Sequence, residues 1–476
     1  MKRIAAALAC ALLCATAPAQ PPDNDFHQLA HDIFKQLIEI NTTDSVGNVS
    51  TAAEAMAQRF RDAGFPDSDL HILGPNDRKK NLVARLHGNG SKKPLLIIAH
   101  LDVVEAKRSD WTTDPFQFVE KDGYFYGRGT QDMKDSDAIA VVSMIRMKKE
   151  GFVPDRDIIL ALTADEEGGK SNGVDWLLQN HRDLIDAEVA LNPDSGGVDA
   201  DKGKATIVSV EATEKLYADY QLVANDIGGH SSVPHGNNPI YRIADALTRL
   251  EQYKFPFELN PVTRVFFEKT AAQMPAQTAA DMRAILKTPP DQAAIARLSK
   301  DPTYNSTLHT TCVATLISGG HAHNALPGAA EANVNCRILP GHSPEEVRQQ
   351  LIKVFADDKI TVNYVNNAGG ISHGAPTRVG LPPPPPAPAI FDPLDRVAAK
   401  FWPGVPVVPD METGASDSIY TMAAGIPSYG INGVLIDHDD DRAHGKDERV
   451  LETSFYRGAD FYYEFLKAVT SPSGGR

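Results

Sequence analysis

Acidic side chains and histidines follow several short apolar stretches of this sequence, and together they are suited to binding metal ions. The stretch 95–99 leads into His100, and Asp102 comes two residues later. On a strand, residues i and i+2 point the same way, so the carboxylate of Asp102 is placed to accept the second ring N–H of His100. Neutral imidazole is a common metal ligand. A lone histidine at a strand end is more often structural, so a metal site requires further ligands.

Three acidic residues in a row follow a second apolar stretch, residues 158–163. Neighbouring carboxylates repel each other unless cations lie between them. Asp165, Glu166 and Glu167 therefore form either a solvated loop or part of a metal centre. In a metal centre, two adjacent glutamates can divide the work, one as a ligand and the other as a general base.

Three further segments add ligands of the same kinds. Asp132 closes the glycine-rich segment 127–132, Asp194 follows a third apolar stretch, and His444 lies in the acidic segment 442–448. Carboxylate oxygens together with imidazoles suit Zn²⁺, and a shared carboxylate can hold two ions about 3.5 to 4 Å apart. The set therefore predicts a centre that can hold two metal ions.

Alternating strand-like and helix-like segments are predicted to position these residues. The alternation indicates an α/β sheet of mostly parallel order, which binds ligands at the carboxyl ends of its strands. Near Glu211 the pattern changes to that of an α+β unit. A Pro-rich stretch at 382–386 follows, and α/β character then returns with a strand at 430–435. We expect one catalytic domain in two parts, 20–212 and 369–476, interrupted by a smaller domain at 213–368.

The N-terminus has the features of an export signal. Lys2 and Arg3 precede an apolar stretch, and small residues at 17–19 fit cleavage by signal peptidase. We therefore expect residues 1–19 to be a signal peptide and the mature protein to be periplasmic or secreted. The apolar stretch, at about 12 residues, is too short for a membrane span, and no later stretch reaches the roughly 20 that a span needs.

Composition and cysteine content restrict the partners and the redox state. The formal net charge is −15, and no run of five basic residues occurs, which argues against nucleic acid or an anionic membrane as partner. Cys312 and Cys336 remain after removal of the signal peptide. They form either a disulfide, which export permits, or two buried free thiols.

Seven matches in order give the whole mature chain a resemblance to the M20 family of metallopeptidases. They are HLD, GRGTQD, ADEEGG, NPDSGG, GGHSSVP, NALPG with CRILPG, and HGKDE. The resemblance implies an α/β di-zinc exopeptidase-like fold with an inserted α+β lid or dimerisation domain. It implies two Zn²⁺ ions, for which Co²⁺ or Mn²⁺ could substitute. One ion would be bound by His100 and Asp194 and the other by Glu167 and His444, with Asp132 bridging both.

The resemblance also implies roles for other residues. Glu166 would be the general base, and Asp102 would orient His100. His230 would reach a neighbouring active site across a homodimer and stabilise the oxyanion. From the sequence alone, a surface loop is the alternative for His230. Three further positions match residues of the family that contact the substrate: Asn324, Arg337 and Gly414. Arg337 would clamp the substrate carboxylate through a bidentate pair.

The long stretch between His230 and Cys312, with the run 302–305, is most similar to the carboxypeptidase S and N-acyl-amino-acid hydrolase branch. We therefore expect an exported zinc metallopeptidase that hydrolyses an amide bond next to a free C-terminal carboxylate. Asp194 also fits a free-amine dipeptidase of the same family, so that alternative stays open. A catalytically inactive binding protein is the third reading, and the intact ligands and Glu166 argue against it.

Overall fold

The computed structural model describes residues 23–366, 369–377, 379 and 386–471. The predicted signal peptide, residues 1–19, lies outside the described residues, as does the predicted Pro-rich stretch up to residue 385. Every helix within the described ranges is too short or too polar to serve as a membrane span.

Helices and strands alternate through the first part of the chain, as the apolar pattern predicts. The helices are α1 (Asp23–Ile38), α2 (Val49–Asp62), α3 (Lys134–Glu150), α4 (Gly173–Asn180), α5 (Arg182–Ile185), α6 (Pro239–Gln252), α7 (Pro261–Thr270), α8 (Ala276–Ile285), α9 (Gln292–Leu298), α10 (Pro302–Leu308), α11 (Pro344–Phe355), α12 (Pro388–Phe401), α13 (Ser418–Ala423) and α14 (Glu452–Thr470). The strands are β1 (Leu70–Leu73), β2 (Asn81–Leu86), β3 (Leu95–His100), β4 (Val119–Lys121), β5 (Tyr124–Tyr126), β6 (Ile158–Thr163), β7 (Val189–Leu191), β8 (Gly197–Asp201), β9 (Lys204–Glu214), β10 (Leu216–Asn225), β11 (Gly229–His230), β12 (Thr311–Gly319), β13 (Ala325–Leu326), β14 (Ala329–Ile338), β15 (Ile360–Val365), β16 (Ile371–Ser372), β17 (Val407–Glu412), β18 (Ser428–Tyr429), β19 (Leu435–Asp437) and β20 (Arg449–Leu451).

The central sheet has the strand order β1-β2-β6-β3-β7-β18. The pairings of β6 with β3, β3 with β7 and β7 with β18 are parallel, and the other two are antiparallel. Every side chain of β3 and β6 is buried. Leu95 and Ile97 face a core that includes α1, α3 and α14, whereas Leu96 and Ile98 face a core that includes α4. Burial on both faces explains why these strands are continuously apolar, and it confirms the predicted α/β class.

A smaller, wholly antiparallel sheet has the order β12-β14-β10-β15-β16. Alternate side chains of β10 and β14, such as Tyr220 and Val334, pack on α6 and α11. The opposite side, which we call the open face, carries Tyr217, Asp219, Asn333, Asn335 and Arg337. Strand β16 lies beyond residue 368, so this sheet extends past the boundary predicted for the inserted domain.

Two connections tie the smaller sheet to the rest of the chain. Strand β9 belongs to a four-stranded sheet with β17, β8 and β19, and only Lys215 separates β9 from β10. Helices α7 to α10, between β11 and β12, enclose their own apolar core. The Nζ of Lys269 on α7 donates to the carbonyl of Val407 on β17 at 2.8 Å, so this helical segment lies against the four-stranded sheet.

The predicted strand at 430–435 is wrong as a single element. β18 ends at Tyr429 in the central sheet, and β19 begins at Leu435 in the four-stranded sheet. The chain changes sheets at Gly430, where a Cβ atom would lie 2.1 Å from the Ser195 hydroxyl. An apolar sequence pattern does not show such a change of sheet.

Cys312 and Cys336 form a disulfide, which settles the alternative that the sequence left open. They are directly opposite each other on β12 and β14, with their Cα atoms 4.1 Å apart. The bond therefore attaches the edge strand β12 to its neighbour, one residue from Arg337.

Replacing both cysteines with alanine is expected to lower the free energy of unfolding of the smaller domain by about 3 kcal/mol. The disulfide joins residues 24 apart, and it restricts the unfolded chain. Thermal unfolding of the metal-free protein measures the effect. A phosphine reductant should lower the stability of the wild type by a similar amount and leave the variant unchanged. Equal stabilities of variant and wild type would contradict the prediction.

Candidate metal centre

Three parallel strands deliver the first set of candidate ligands to one edge of the central sheet. His100 is the last residue of β3, the loop after β6 carries Glu166 and Glu167, and the loop after β7 carries Asp194. Because β3 lies between β6 and β7 and all three run in parallel, their carboxyl ends meet. Asp132 reaches the same place from the turn before α3.

Five predicted ligands form two groups that share one carboxylate. In the first group, Nε2 of His100 lies 3.2 Å from Oδ1 of Asp132 and 3.4 Å from Oδ1 of Asp194. In the second, Nε2 of His444 lies 2.8 Å from Oδ2 of Asp132 and 2.9 Å from Oε1 of Glu167. Asp132 thus offers a different oxygen to each group, as a bridging ligand must.

The donor atoms fit divalent metal ions. Nε2 of His100 and Oδ1 of Asp132 are buried, yet neither makes a hydrogen bond of acceptable geometry. Unpaired buried polar atoms cost free energy, which a bound cation would recover. Nδ1 of His100 lies 3.0 Å from the carbonyl oxygen of Asp102. The proton therefore belongs on Nδ1, and Nε2 is left as a metal-binding lone pair.

Asp102 acts differently from the prediction. Its backbone carbonyl, not its carboxylate, contacts the ring of His100, because Oδ1 is 3.9 Å from Nδ1. The carboxylate instead accepts the backbone N–H groups of Glu166 and Glu167, at 3.2 and 3.0 Å. The strand ends at His100, so strand alternation does not extend to Asp102. Its side chain fixes the turn that presents the two glutamates.

Asp165, the first of the three consecutive acids, is held in an ion pair. Its backbone is left-handed, with φ of 61°, and its carboxylate pairs with Nζ of the buried Lys79. Lys79 also contacts Asp44 at 2.8 Å. Three adjacent acids thus have three environments: Asp165 binds a lysine, Glu167 joins the ligand group of His444, and Glu166 remains beside the centre.

The two histidines dominate the electrostatics of the centre. Burial opposes a charge on His100, but Asp194 and Asp132 outweigh burial and raise its pKa well above the usual value. Hydrogen bonds to Asp132 and Glu167 raise the pKa of His444 to about 10. Burial favours protonation of Asp132, but both histidines lower its pKa below the usual range. A cation bound there would compete with protonation of the two histidines, so metal binding is expected to release protons.

The environment of Glu166 suits a group that accepts and returns a proton. Its Oε2 lies 4.0 Å from Nε2 of His100, so it adjoins the centre without belonging to either ligand group. Burial raises its pKa well above the usual value, and Asp194 adds to this effect against the opposing charge of His100.

Sequence reasoning missed a buried pair that supports the bridging ligand. Glu448 accepts the backbone N–H groups of Gln131 and Asp132, at 2.7 and 3.2 Å. Its other oxygen pairs with Arg128, and both side chains are buried. Both residues lie inside motifs that the sequence analysis identified, Arg128 in GRGTQD and Glu448 in HGKDE. Their pairing is revealed only by contacts between distant segments.

The four predicted substrate-binding residues lie elsewhere. His230 and Asn324 are exposed neighbours, joined where the N–H of Ser231 donates to the carbonyl of Asn324 at 3.1 Å. Arg337 lies on the open face, and the N–H of Gly414 donates to Oε1 of Glu412 at 2.8 Å. No hydrogen bond or ion pair among the described residues joins these four to the metal ligands, so their substrate roles stay predictions.

Comparisons with known proteins agree with this arrangement. The family model described as peptidase family M20/M25/M40 matches residues 96–468. Probable carboxypeptidase S-like 2 of Dictyostelium discoideum is 27% identical over 390 residues, covering 79% of this chain and 72% of that protein. The N-fatty-acyl-amino acid synthase/hydrolase PM20D1 of Xenopus tropicalis is 28% identical over 380 residues, with the same two coverages.

The crystal structure of the M20 family metallo-carboxypeptidase Sso-CP2 from Sulfolobus solfataricus has a TM-score of 0.68 at 17% identity, and covers 93% of this chain and 99% of that one. At that identity the likeness demonstrates a shared fold. The family model covers well over half of the chain and contains all five clustered ligands. This chain therefore belongs to peptidase family M20/M25/M40, a family of hydrolytic metallopeptidases, on the branch of the carboxypeptidase S-like and N-fatty-acyl-amino acid hydrolase proteins.

Proposed function

We propose that this protein is an exported zinc enzyme that hydrolyses an amide bond next to a free C-terminal carboxylate, as a carboxypeptidase or an N-acyl-amino-acid amidohydrolase. The observation that carries the proposal is the pair of ligand groups sharing Asp132, with Glu166 beside them as an uncommitted carboxyl group. His100, Asp194, Glu167 and His444 would complete the coordination of two Zn²⁺ ions.

The residues around the centre supply the proton transfers. Two divalent ions held there would activate a water molecule and polarise the scissile carbonyl. Glu166 takes the proton from that water and returns it to the leaving amine. The Asp102 carboxylate keeps Glu166 in place through its backbone N–H. His230 would stabilise the oxyanion, a contribution worth about 2.7 to 4 kcal/mol per donor in other enzymes.

Arg337 is suited to bind the carboxylate of the substrate. Its guanidinium lies 4.8 Å from the centre of the Tyr217 ring, which fixes its plane. Nη1 is buried and makes no hydrogen bond with the described residues. A planar guanidinium with free N–H groups is the usual partner of a carboxylate in a bidentate pair.

The side chains of the open face favour a substrate with a blocked N-terminus over one with a free amine. Asp219 lies near Arg337 on this face, and it would be the natural partner for a substrate ammonium. One of its oxygens accepts from Asn333 and Asn335, at 2.9 and 3.0 Å, and the other accepts from the hydroxyl of Tyr217. These three neutral donors occupy both oxygens of Asp219, so few of its acceptor positions remain for a substrate ammonium.

A homodimer would form through strand β12, the edge of the smaller sheet. Val313, Leu316 and Ile317 on this strand are 60%, 70% and 64% exposed. An exposed apolar edge strand carries unpaired backbone groups that can pair with a second copy of the same strand. Such pairing would allow His230 of one subunit to reach the metal centre of the other.

Amine release from matched substrates tests the substrate class. We expect the mature, zinc-loaded protein to cleave dipeptides with an acylated N-terminus at least tenfold faster, by kcat/KM, than the same dipeptides with a free amine. Glu166→Gln should lower kcat by about 100- to 10,000-fold and retain the metal, because it removes the general base alone. A preference for free amines would establish the dipeptidase alternative.

Zinc titration tests the division of ligands. The wild type is expected to bind two Zn²⁺ ions per chain, and His100→Ala and His444→Ala should each lose one. Asp132→Ala should weaken both sites, because its two oxygens serve different groups. Metal content after dialysis, measured by mass spectrometry, provides the readout. Loss of both ions in His444→Ala, or retention of both ions in Asp132→Ala, would contradict the assignment.

Mixing two inactive variants tests whether His230 acts across a dimer. His230→Ala and Glu166→Gln should each be nearly inactive alone. Mixed dimers pair an intact Glu166 with the partner's intact His230, so an equal mixture should recover roughly a quarter of wild-type activity if subunits exchange freely in a two-fold dimer. Light scattering confirms the dimer. Absence of recovery in verified mixed dimers would exclude action in trans.

A further inference from the structure

Two basic residues lie side by side where the smaller sheet joins the rest of the chain. Arg337 on β14 pairs with Tyr217 on β10 and with Thr311 on β12. Lys215 lies in the break between β9 and β10. Its Nζ is 3.3 Å from the hydroxyl of Thr311, the residue paired with Arg337, so the ammonium lies on the same side of the sheet as Arg337.

Lys215 is enclosed without a counter-ion. Its side chain is 0% exposed, and its ammonium donates to the hydroxyls of Ser306 and Thr311 at 3.2 and 3.3 Å. These neutral acceptors use two of its three N–H groups. Neither Lys215 nor Arg337 forms an ion pair with an acidic residue in the described part of the chain.

The groups packed around Lys215 leave its charge uncompensated. Helix α10 contributes the Ser306 hydroxyl, β12 the Thr311 hydroxyl, and β14 the guanidinium of Arg337. From β17, Glu412 accepts the backbone N–H of Lys215 at 3.1 Å. The carboxylate of Glu412 is occupied elsewhere, by the N–H groups of residues 413 and 414.

A buried ammonium beside a half-buried guanidinium, with no ion-paired acid for either, is costly, and the amine is the group that can adjust. Burial first, and then the charge of Arg337, lower the pKa of Lys215 to about 7. A guanidinium keeps its proton throughout the physiological range. Near neutral pH, therefore, Arg337 is charged and Lys215 is only partly so.

We propose that Lys215 is a second anion-recognising residue, which acts with Arg337 on the carboxylate of an N-acyl amino acid. The inference rests on the proposed function, because it takes Arg337 as the carboxylate anchor. A carboxylate bound to Arg337 supplies the missing negative charge, and it stabilises the protonated form of the neighbouring, enclosed Lys215 electrostatically.

The direction of the pH dependence follows from linkage. An anion favours the charged form of Lys215, so binding raises its pKa and takes up a proton from solution. Below about pH 7 the free protein already holds this proton, and affinity is highest. As the pH rises above that value, the free protein loses the proton, and the KM for carboxylate substrates increases.

Calorimetric titration of the zinc-loaded mature protein with 3-phenylpropanoate tests the inference. This probe has a carboxylate but no amide to cleave. Titrations at about pH 8 in Tris and in HEPES, whose ionisation enthalpies differ, give the number of protons taken up. We expect net uptake of most of one proton by the wild type. Lys215→Arg should bind without uptake, because its charge does not titrate.

Lys215→Met should bind the probe about tenfold more weakly at about pH 6, a typical effect of removing one charged partner, and without proton uptake. Lys269→Met is the control, since Lys269 also donates to a neutral acceptor but is exposed, and it should behave as wild type. Wild-type uptake or wild-type affinity in Lys215→Met overturns the inference. If Lys215→Met does not fold, retained uptake in Lys215→Arg has the same meaning.

The failure of this inference is distinguishable from failure of the proposed function. If the wild type cleaves acylated dipeptides and Arg337→Met raises KM, but the Lys215 variants keep the wild-type pH profile, only the inference is wrong. If the wild type neither binds 3-phenylpropanoate nor cleaves acylated dipeptides, both are wrong.

Discussion

The carboxylate of Asp132, shared between two histidines, is the contact on which the rest of the centre depends. It requires ligands from β3 and β7 on one side and from the loops of Glu167 and His444 on the other. Parallel pairing of β3, β6 and β7 brings His100, Glu167 and Asp194 together, and His444 joins them from the segment between β19 and β20. Negative charge concentrated at one sheet edge is stabilised by cations, and metal ions have this role in a metalloenzyme.

The central sheet and the positions of the candidate ligands were predictable because each depends on local sequence. Buried parallel strands are continuously apolar, so the sequence shows where they end and which polar residues follow. His100 and the acidic run 165–167 were found in this way, whereas the choice of Glu167 as a ligand came from the resemblance to the M20 family. The carboxylate of Asp102 was expected at the ring of His100. It lies elsewhere because β3 ends at His100, two residues before the position that strand alternation would require. The strand expected at 430–435 failed for a related reason, since an apolar run does not reveal a change of sheet.

Contacts between distant segments were beyond the reach of the sequence. Lys79 holds Asp165, and Arg128 holds Glu448, through pairings that no spacing rule predicts. The buried position of Lys215 was equally hidden, because a lysine next to a glutamate at the end of a strand resembles an ordinary solvated pair. The roles of such residues are recognised only when their burial and their contacts are known, since a solvated lysine or arginine has no specific structural role.

The single residue between β9 and β10 restricts how far the smaller sheet can move relative to the four-stranded sheet. β9 pairs with β17 in the four-stranded sheet, while β10 pairs with the strand that carries Arg337. The backbone N–H of Lys215 is bonded to the end of β17, so the joint has little slack. With Arg337 as the carboxylate anchor, its distance from the metal centre is set by the angle at this joint. Under the proposed role of Arg337, that distance would limit how many residues fit beyond the cleaved bond, and would favour removal of terminal residues over cleavage within chains.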